Sequence, residues 1–470
     1  MPSRSALHNV PLIPHRSIMM THDPNWTAPR DGQDWRDDDV LRVTEWLRSF
    51  VPAKAMEQRL DAAKTFLVNA KEQVASGGEC SLYDPADTIA WYIFQAETFA
   101  IDRQLWVPEE MVRIVPLLTR LGKELDLLKT IEGMEARVER LMLSERGQPQ
   151  SGIFELLVGL AYRRHGWNEV KFVPEQPGIC RTPDLHVSRA RKRWAVECKR
   201  LTPSTYAARE KARGVEIAKA VHQACRESGK SVIVEVKYSV ELNSVPDDYL
   251  VTRVLEAIER RPSEPWLDEI ATGRIRPVDW PLIDGILEHD FVYYGSSRMI
   301  ELLSGYYIHE WDHSMAATWN PAPDRPFYAD AVEQASVVSW ISNSKEAHDK
   351  KTRHFKSTLA NAEGQLPADR PGLIHVGIES GAGNDIAATR HIKNYLEARF
   401  FRNKKSRLRW VYGNYFVPEM TTQQNESWAI TETMVPYKIG LHRTASPLPN
   451  HFLVSPEDVM RAGVYWDDRA

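Results

Sequence analysis

The sequence predicts an α/β protein in which an all-α N-terminal region precedes a mixed sheet whose core runs α-β-β-β-α-β. Three observations predict it. Residues 35 to 145 repeat apolar positions at helical spacing, and from about residue 150 short alternating runs rich in β-branched residues interleave with helical ones. The third is length: 470 residues, 43% of them hydrophobic, suffice for roughly two to four domains with cores of their own. Disorder as the dominant state is excluded.

Residues 1–34, rich in Pro, Ser, His and Asn, read as a flexible lead. In DDDVLRVTEWLRSF, Val40, Val43, Trp46 and Leu47 share one helix face, and acids crowd the positive N-terminal end. AMEQRLDAAKTFLVNAKEQVA makes the next helix, which Gly77-Gly78 stops. Asp84-Pro85 reads as an N-cap and first-turn proline for a third. The long pattern from Glu109 to Leu143 continues the helical domain, assigned to 35–147, with Pro116 expected to kink or break it. SGIFELLVGLAYRRHGW is then a helix, and NEVKFVPEQ, RTPDLHVS and RWAVECKRL are three strands. YAAREKARGVEIAKAVHQACRESG is a helix and KSVIVEVKYSV a fourth strand, which completes a core over 148–240. The Trp- and Pro-rich residues 241–340 read as an insertion or subdomain. Residues 341–470, with a helix from Ser344 to Gly364 and strands GLIHVGIE and RLRWVYGNYFVP, read as a C-terminal α/β extension able to widen the same sheet.

No stretch reaches the about 20 apolar residues of a membrane helix, and the N-terminus lacks a secretory signal core. Cys80, Cys180, Cys198 and Cys225 are scattered without CxxC spacing, which argues against a disulfide framework or thiolate zinc site and suits a reducing cytosol. A cytoplasmic protein is expected. The net charge of -4 is an average that hides patches.

The informative segment is RTPDLHVSRARKRWAVECKRL. The midpoint between Asp184 and Glu197 falls between Ala190 and Arg191, inside the polar turn, so a tight hairpin makes the two acids direct cross-strand neighbours, about 5 Å apart at Cβ. Like charges so placed repel, and a hard divalent cation held by oxygen ligands relieves them. Alternation puts Lys199 on the face of Glu197, where it can position a water and offset charge on a phosphoryl oxygen. Glu155, on a largely apolar helix with no cation at i+4, either serves the same site or bonds across the core. The competing reading of the pair is an ordinary charged hairpin face.

Glu155, Pro183-Asp184 and Glu197-Cys198-Lys199, in their α-β-β-β-α-β setting, resemble the signature of the PD-(D/E)XK nuclease superfamily, the restriction-endonuclease-like fold. The resemblance covers roughly residues 150 to 240. It implies a phosphodiesterase, a deoxyribonuclease by family habit, with Mg²⁺ as cofactor and Mn²⁺ as a substitute. Asp184, Glu197, Glu155 and the backbone carbonyl of Cys198 would be metal ligands, and Lys199 would position the attacking water. Restriction, defence against foreign DNA and repair are the roles it implies.

Basic residues crowd the hairpin and its surroundings: Arg181, Arg191, Lys192, Arg193 and Arg200, then Lys211 and Arg213 on the following helix, and Arg402, Lys404 and Lys405 further on. A locally basic surface beside a carboxylate site suits nucleic acid, while a solvated face is the ordinary alternative; the resemblance implies DNA more readily than RNA. The helical domain offers a surface for a homodimer or a partner protein. A catalytically inactive nucleic-acid-binding protein is one alternative. A zinc hydrolase is another: His309-Glu310-Trp311-Asp312-His313 matches HExxH, which on a helix sets two His one turn apart, with Glu333 downstream as a third ligand.

Overall fold

A computed structural model describes residues 26–28, 37–75, 81–175, 181–201, 205–260, 265–323, 325–352, 355–380, 384–403, 406–419, 429–457 and 461–467. The chain enters through β1 (Trp26–Ala28), which lies within the segment expected to be a flexible lead. α1 (Asp37–Arg48) starts on three aspartates and buries Val40, Val43 and Leu47. α2 (Ala53–Ala75) follows. The cap expected at Asp84 serves a short 3-10 turn, and Asp87 caps α3 (Thr88–Ile101) by accepting from the Ala90 N–H.

α4 (Pro108–Lys123) runs through Pro116 without a break. A mid-helix proline costs about 3 kcal/mol, and here burial of Met111, Ile114, Val115, Leu118 and Leu121 on the same helix offsets it. The interruptions come instead at Glu124 and at Gly133, whose φ of +79° suits only glycine; they set off α5 (Leu125–Lys129) and α6 (Met134–Met142). α7 (Pro149–Arg164) is buried almost continuously from Gly152 to Tyr162, because it lies between these helices and a sheet.

The sheets form from β2 (Glu169–Phe172), β3 (Leu185–Arg189), β4 (Lys192–Leu201), α8 (Thr205–Ser228), β5 (Val232–Tyr238), α9 (Tyr249–Arg260), β6 (Trp266–Leu267), β7 (Ala271–Arg276), α10 (Trp280–Leu287), β8 (Val292–Tyr293), α11 (Ser297–Ser304), β9 (Asp312–Ala322) and β10 (Arg325–Ser342). α12 (Lys345–Lys351), α13 (Phe355–Glu363), β11 (Pro371–Glu379), α14 (Asn384–Arg399), β12 (Arg407–Glu419), β13 (Ala429–Lys438) and β14 (Arg461–Ala462) complete the chain.

The main sheet has the order β14-β1-β13-β12-β11-β4-β3-β2, and the second β6-β7-β5-β10-β8 with β9 on β10. β4, β11 and β12 are parallel neighbours; β2, β3 and β4 form an antiparallel meander. The protein is thus mixed α/β, with an N-terminal helical region followed by mixed sheets. The expected fourth core strand needs correction. β5 pairs with β7 and β10 in the second sheet, and the strand beside β4 is β11, with α13 packed against both. The inserted unit therefore begins after β4, near residue 205, instead of at 241. Sequence could not decide this, because the alternation in VIVEVKY, with Val232, Val234, Val236 and Tyr238 on one face, fixes which side is buried but not which strand lies beside it.

β4 is itself covered twice. Trp194, Val196 and Cys198 belong to the core shared with α7 and the helical region, whereas Ala195 belongs to the core under α13 and α14. Glu197, at 0% exposure, follows Ala195 onto the α13 face by the two-residue period of a strand.

Candidate active site

The β3–β4 register pairs Leu185 with Val196 and His186 with Ala195, closing at Arg189 and Lys192. One step further places Asp184 opposite Glu197, as the tight hairpin predicts. The Asp184 carbonyl continues the ladder on its other side by accepting from the Val173 N–H at 2.9 Å. Its side chain turns to β4, where Oδ2 accepts from the Cys198 N–H at 2.7 Å. In an extended residue the N–H and C=O project to the same edge, so the Cys198 carbonyl faces the end of β3 as well.

Lys199 Nζ stands 2.5 Å from Glu197 Oε1. Gln365, just beyond α13, donates to both Glu197 oxygens at 2.5 and 3.1 Å when its amide nitrogen is turned toward them. Burial pushes Glu197 up to about 7, with Lys199 pulling against it and Glu155 adding to it. Asp184 is driven well above the carboxylate range, first by burial and then by Glu155 and Glu197. Each acid thus feels the others across a medium that screens poorly.

Glu155 reaches the site from α7. Arg137 Nε donates to its Oε2 at 2.5 Å, Arg140 lies 4.0 Å away, and both arginines also pair with Glu145. Burial raises Glu155, while Arg137 and Arg140 pull it down. Gly152 makes this approach possible: a Cβ there would sit 2.8 Å from the Arg137 guanidinium. Glu155 and Asp184 line one cavity of about 800 Å³, together with Arg137, Arg140, Arg181 and Gln365. Glu155 thus bonds across the core to Arg137 and lines a cavity with Asp184.

Among the described residues, no three His, Cys, Asp or Glu side chains stand close enough to hold a metal ion. The reason lies in the partners: Arg137 holds Glu155, Lys199 holds Glu197, and Asp184 rests on a main-chain N–H. The donor set still fits a hard cation. It is all oxygen, it is buried, and the partners present leave Asp184 and Glu197 pushed toward protonation.

The basic residues divide. Arg181 lines the cavity with Asp184. Arg191, Lys192 and Arg193 lie at the far end of β4, lining a second cavity of about 1010 Å³ with Arg189, Arg370, Trp167 and Trp194. Arg402 is exposed, and Lys404 and Lys405 lie outside the described residues. Arg200 is a correction: its side chain is only 11% exposed and is bound to Glu379. Arg213 pairs with Asp247 and Glu216 on α8, which packs against the second sheet, and Lys211 lies 3.8 Å from Asp312 there. Both stand beside acids on the helix that packs against the second sheet.

HEWDH is also corrected. His309 and Glu310 lie in a turn and β9 begins at Asp312, so no helix aligns the two histidines. His313 commits both ring nitrogens, to Ser339 Oγ and the Ile308 carbonyl at 2.8 Å each, and Glu333 lies within 3.5 Å of the Asn320 amide. The zinc reading loses its ligands.

Arg137, Arg140 and Gln365 were missed from sequence. They belong to other elements, and no spacing ties them to the hairpin. No protein-family model, curated protein or solved structure matches the chain.

Proposed function

We propose that the chain is a divalent-cation-dependent nuclease that hydrolyses phosphodiester bonds, with DNA as the favoured substrate. The observation that carries this is the opposition of Asp184 and Glu197 across the β3–β4 register, with Lys199 2.5 Å from Glu197 and Glu155 in the same cavity as Asp184. Burying acids together raises the cost of their charge unless a cation joins them. Glu155, Asp184, Glu197 and the Cys198 carbonyl would hold it, and a bound Mg²⁺ or Mn²⁺ would supply charge neutralisation and an acidified water. Lys199 then orients the attacking water, which takes the phosphorus while the 3′ alcohol leaves. Arg181 lines the cavity as a phosphate contact, beside Arg137 and Arg140, which the acids Glu145 and Glu155 already hold.

A second reading is favoured by one specific observation, the Arg137 clasp on Glu155. A nucleic-acid-binding protein without hydrolysis would keep that ion pair permanently. Plasmid, linear and single-stranded substrates incubated with and without Mg²⁺ decide between them. The nuclease cleaves only with Mg²⁺, and Asp184→Asn loses cleavage by at least about a hundredfold while still binding. Absence of cleavage on every substrate, with binding intact, leaves the binder.

A further inference from the structure

α7 walls a third cavity on its other side, of about 290 Å³, between the helical region and the main sheet. We infer that it is a pocket for a single nucleobase. The ligand class rests on the nucleic-acid reading above; the pocket itself does not. Tyr83 and Arg113 line it from the helical side, and Arg200, Glu379 and Phe416 from the carboxyl ends of β4, β11 and β12. That is where open α/β sheets place ligands, in the crevice beyond the strand ends.

Charge narrows the ligand. Arg113 Nε donates to Glu379 Oε1 at 2.5 Å, Arg200 donates to Glu379 Oε2 at 3.1 Å, and Glu110 lies 3.7 Å from Arg113. Two guanidinium groups thus meet two carboxylates, which leaves, among the described lining residues, no surplus cation for a phosphate and no bare acid for a metal. What remains is a charge-balanced set of donors and acceptors beside aromatic rings, with Arg200 lying 4.9 Å over Phe416 and Tyr83 stacked on Trp91. A small planar heterocycle, neutral and carrying both hydrogen-bonding senses on its edge, meets that lining. The volume is at the small end for ligand pockets and has room for a base.

Position links it to the first cavity. Phe154 and Arg200 line the pocket, and their chain neighbours Glu155 and Lys199 belong to the carboxylate site. Successive residues on a helix or strand point to different sides, so α7 forms a wall shared by the two cavities.

Calorimetric titration of the full chain with adenosine, guanosine, cytidine and thymidine tests the pocket. At least one nucleoside is expected to bind saturably, without competition from inorganic phosphate. Tyr83→Ala and Gln150→Ala, at two other lining positions, should each weaken it about tenfold, and Asp184→Asn should leave it unchanged. Failure of every nucleoside to bind, competition by phosphate, or affinity indifferent to both variants overturns the inference. Nucleoside binding in a protein that never cleaves keeps the pocket and refutes the hydrolytic reading; cleavage without nucleoside binding does the reverse.

Discussion

Arg137 Nε lies 2.5 Å from Glu155 Oε2, so a cation carried by α6 sits on an acid carried by α7 at the wall of the cavity that Asp184 shares. The pair couples the helical region to the chemistry of the sheet. Any cation that uses Glu155 must displace Arg137 or share the carboxylate with it.

Arg137→Ala therefore has two opposed effects. It leaves Glu155 buried with only Arg140 nearby, at 4.0 Å, and should cost about 3 kcal/mol of stability without divalent ions. Mn²⁺ binding, followed by calorimetry, should tighten by roughly tenfold, because the competing cation is gone. Unchanged Mn²⁺ affinity would show that Glu155 is purely a structural partner of Arg137.

Lys199→Ala should destabilise the protein most at high pH. Glu197, with 0% of its side chain exposed, depends on Lys199 only when it carries charge. Chemical denaturation should show a deficit at pH 8 that shrinks by pH 5, where the carboxyl is protonated. A deficit independent of pH contradicts the pairing.

The sign for the wild-type chain follows from the raised value. Glu197 titrates near 7 in the fold against 4.5 in an unperturbed carboxyl, so the folded state holds the extra proton. Its contribution to stability is complete below 4.5 and is lost as pH rises through 7. His375, lowered by burial to about 3, varies in stability contribution only at and below the ordinary imidazole range, and Glu432, also near 7, is removed by comparison with Glu197→Gln. The variant should flatten the pH 6.5–8 slope. Mn²⁺ should raise the melting temperature at pH 8 and progressively less as the pH falls through 7, since protons compete for the same oxygens.

Arg191, Lys192 and Arg193 are too far along β4 to touch the acids. Changing all three to Gln should weaken binding to long duplexes and lower the salt slope by about one for each phosphate that is no longer neutralised. Cleavage of short oligonucleotides should persist. Equal impairment on short and long substrates would place these residues in the site itself.

The Asp184–Glu197 opposition was legible because an antiparallel pair with a short turn has only one register, and alternation then fixes the face of Lys199. The helices α1, α2 and α3 were legible for a related reason: their buried stripes lie within single elements. Glu155 was singled out as a buried acid, but its partner Arg137 was not, since their meeting depends on how two helices pack across Gly152. Sheet membership failed at β5, where alternation marks the face of Val232, Val234, Val236 and Tyr238 as buried but carries no information about the partner strand. Arg200 and Arg213 read as surface cations only because a count of charges is blind to Glu379 and Asp247.

The insertion of the second sheet between β4 and β11 has a consequence for synthesis. Glu197 lies beside Ile374 in the parallel register, so the strand bearing the acid and the amine stays an open edge until the segment around residue 374 has left the ribosome. The intervening unit can close on itself first, pairing β5 with β10. A nascent chain cut short anywhere before β11 thus lacks the strand beside Glu197, so the carboxylate cluster is enclosed only late in translation.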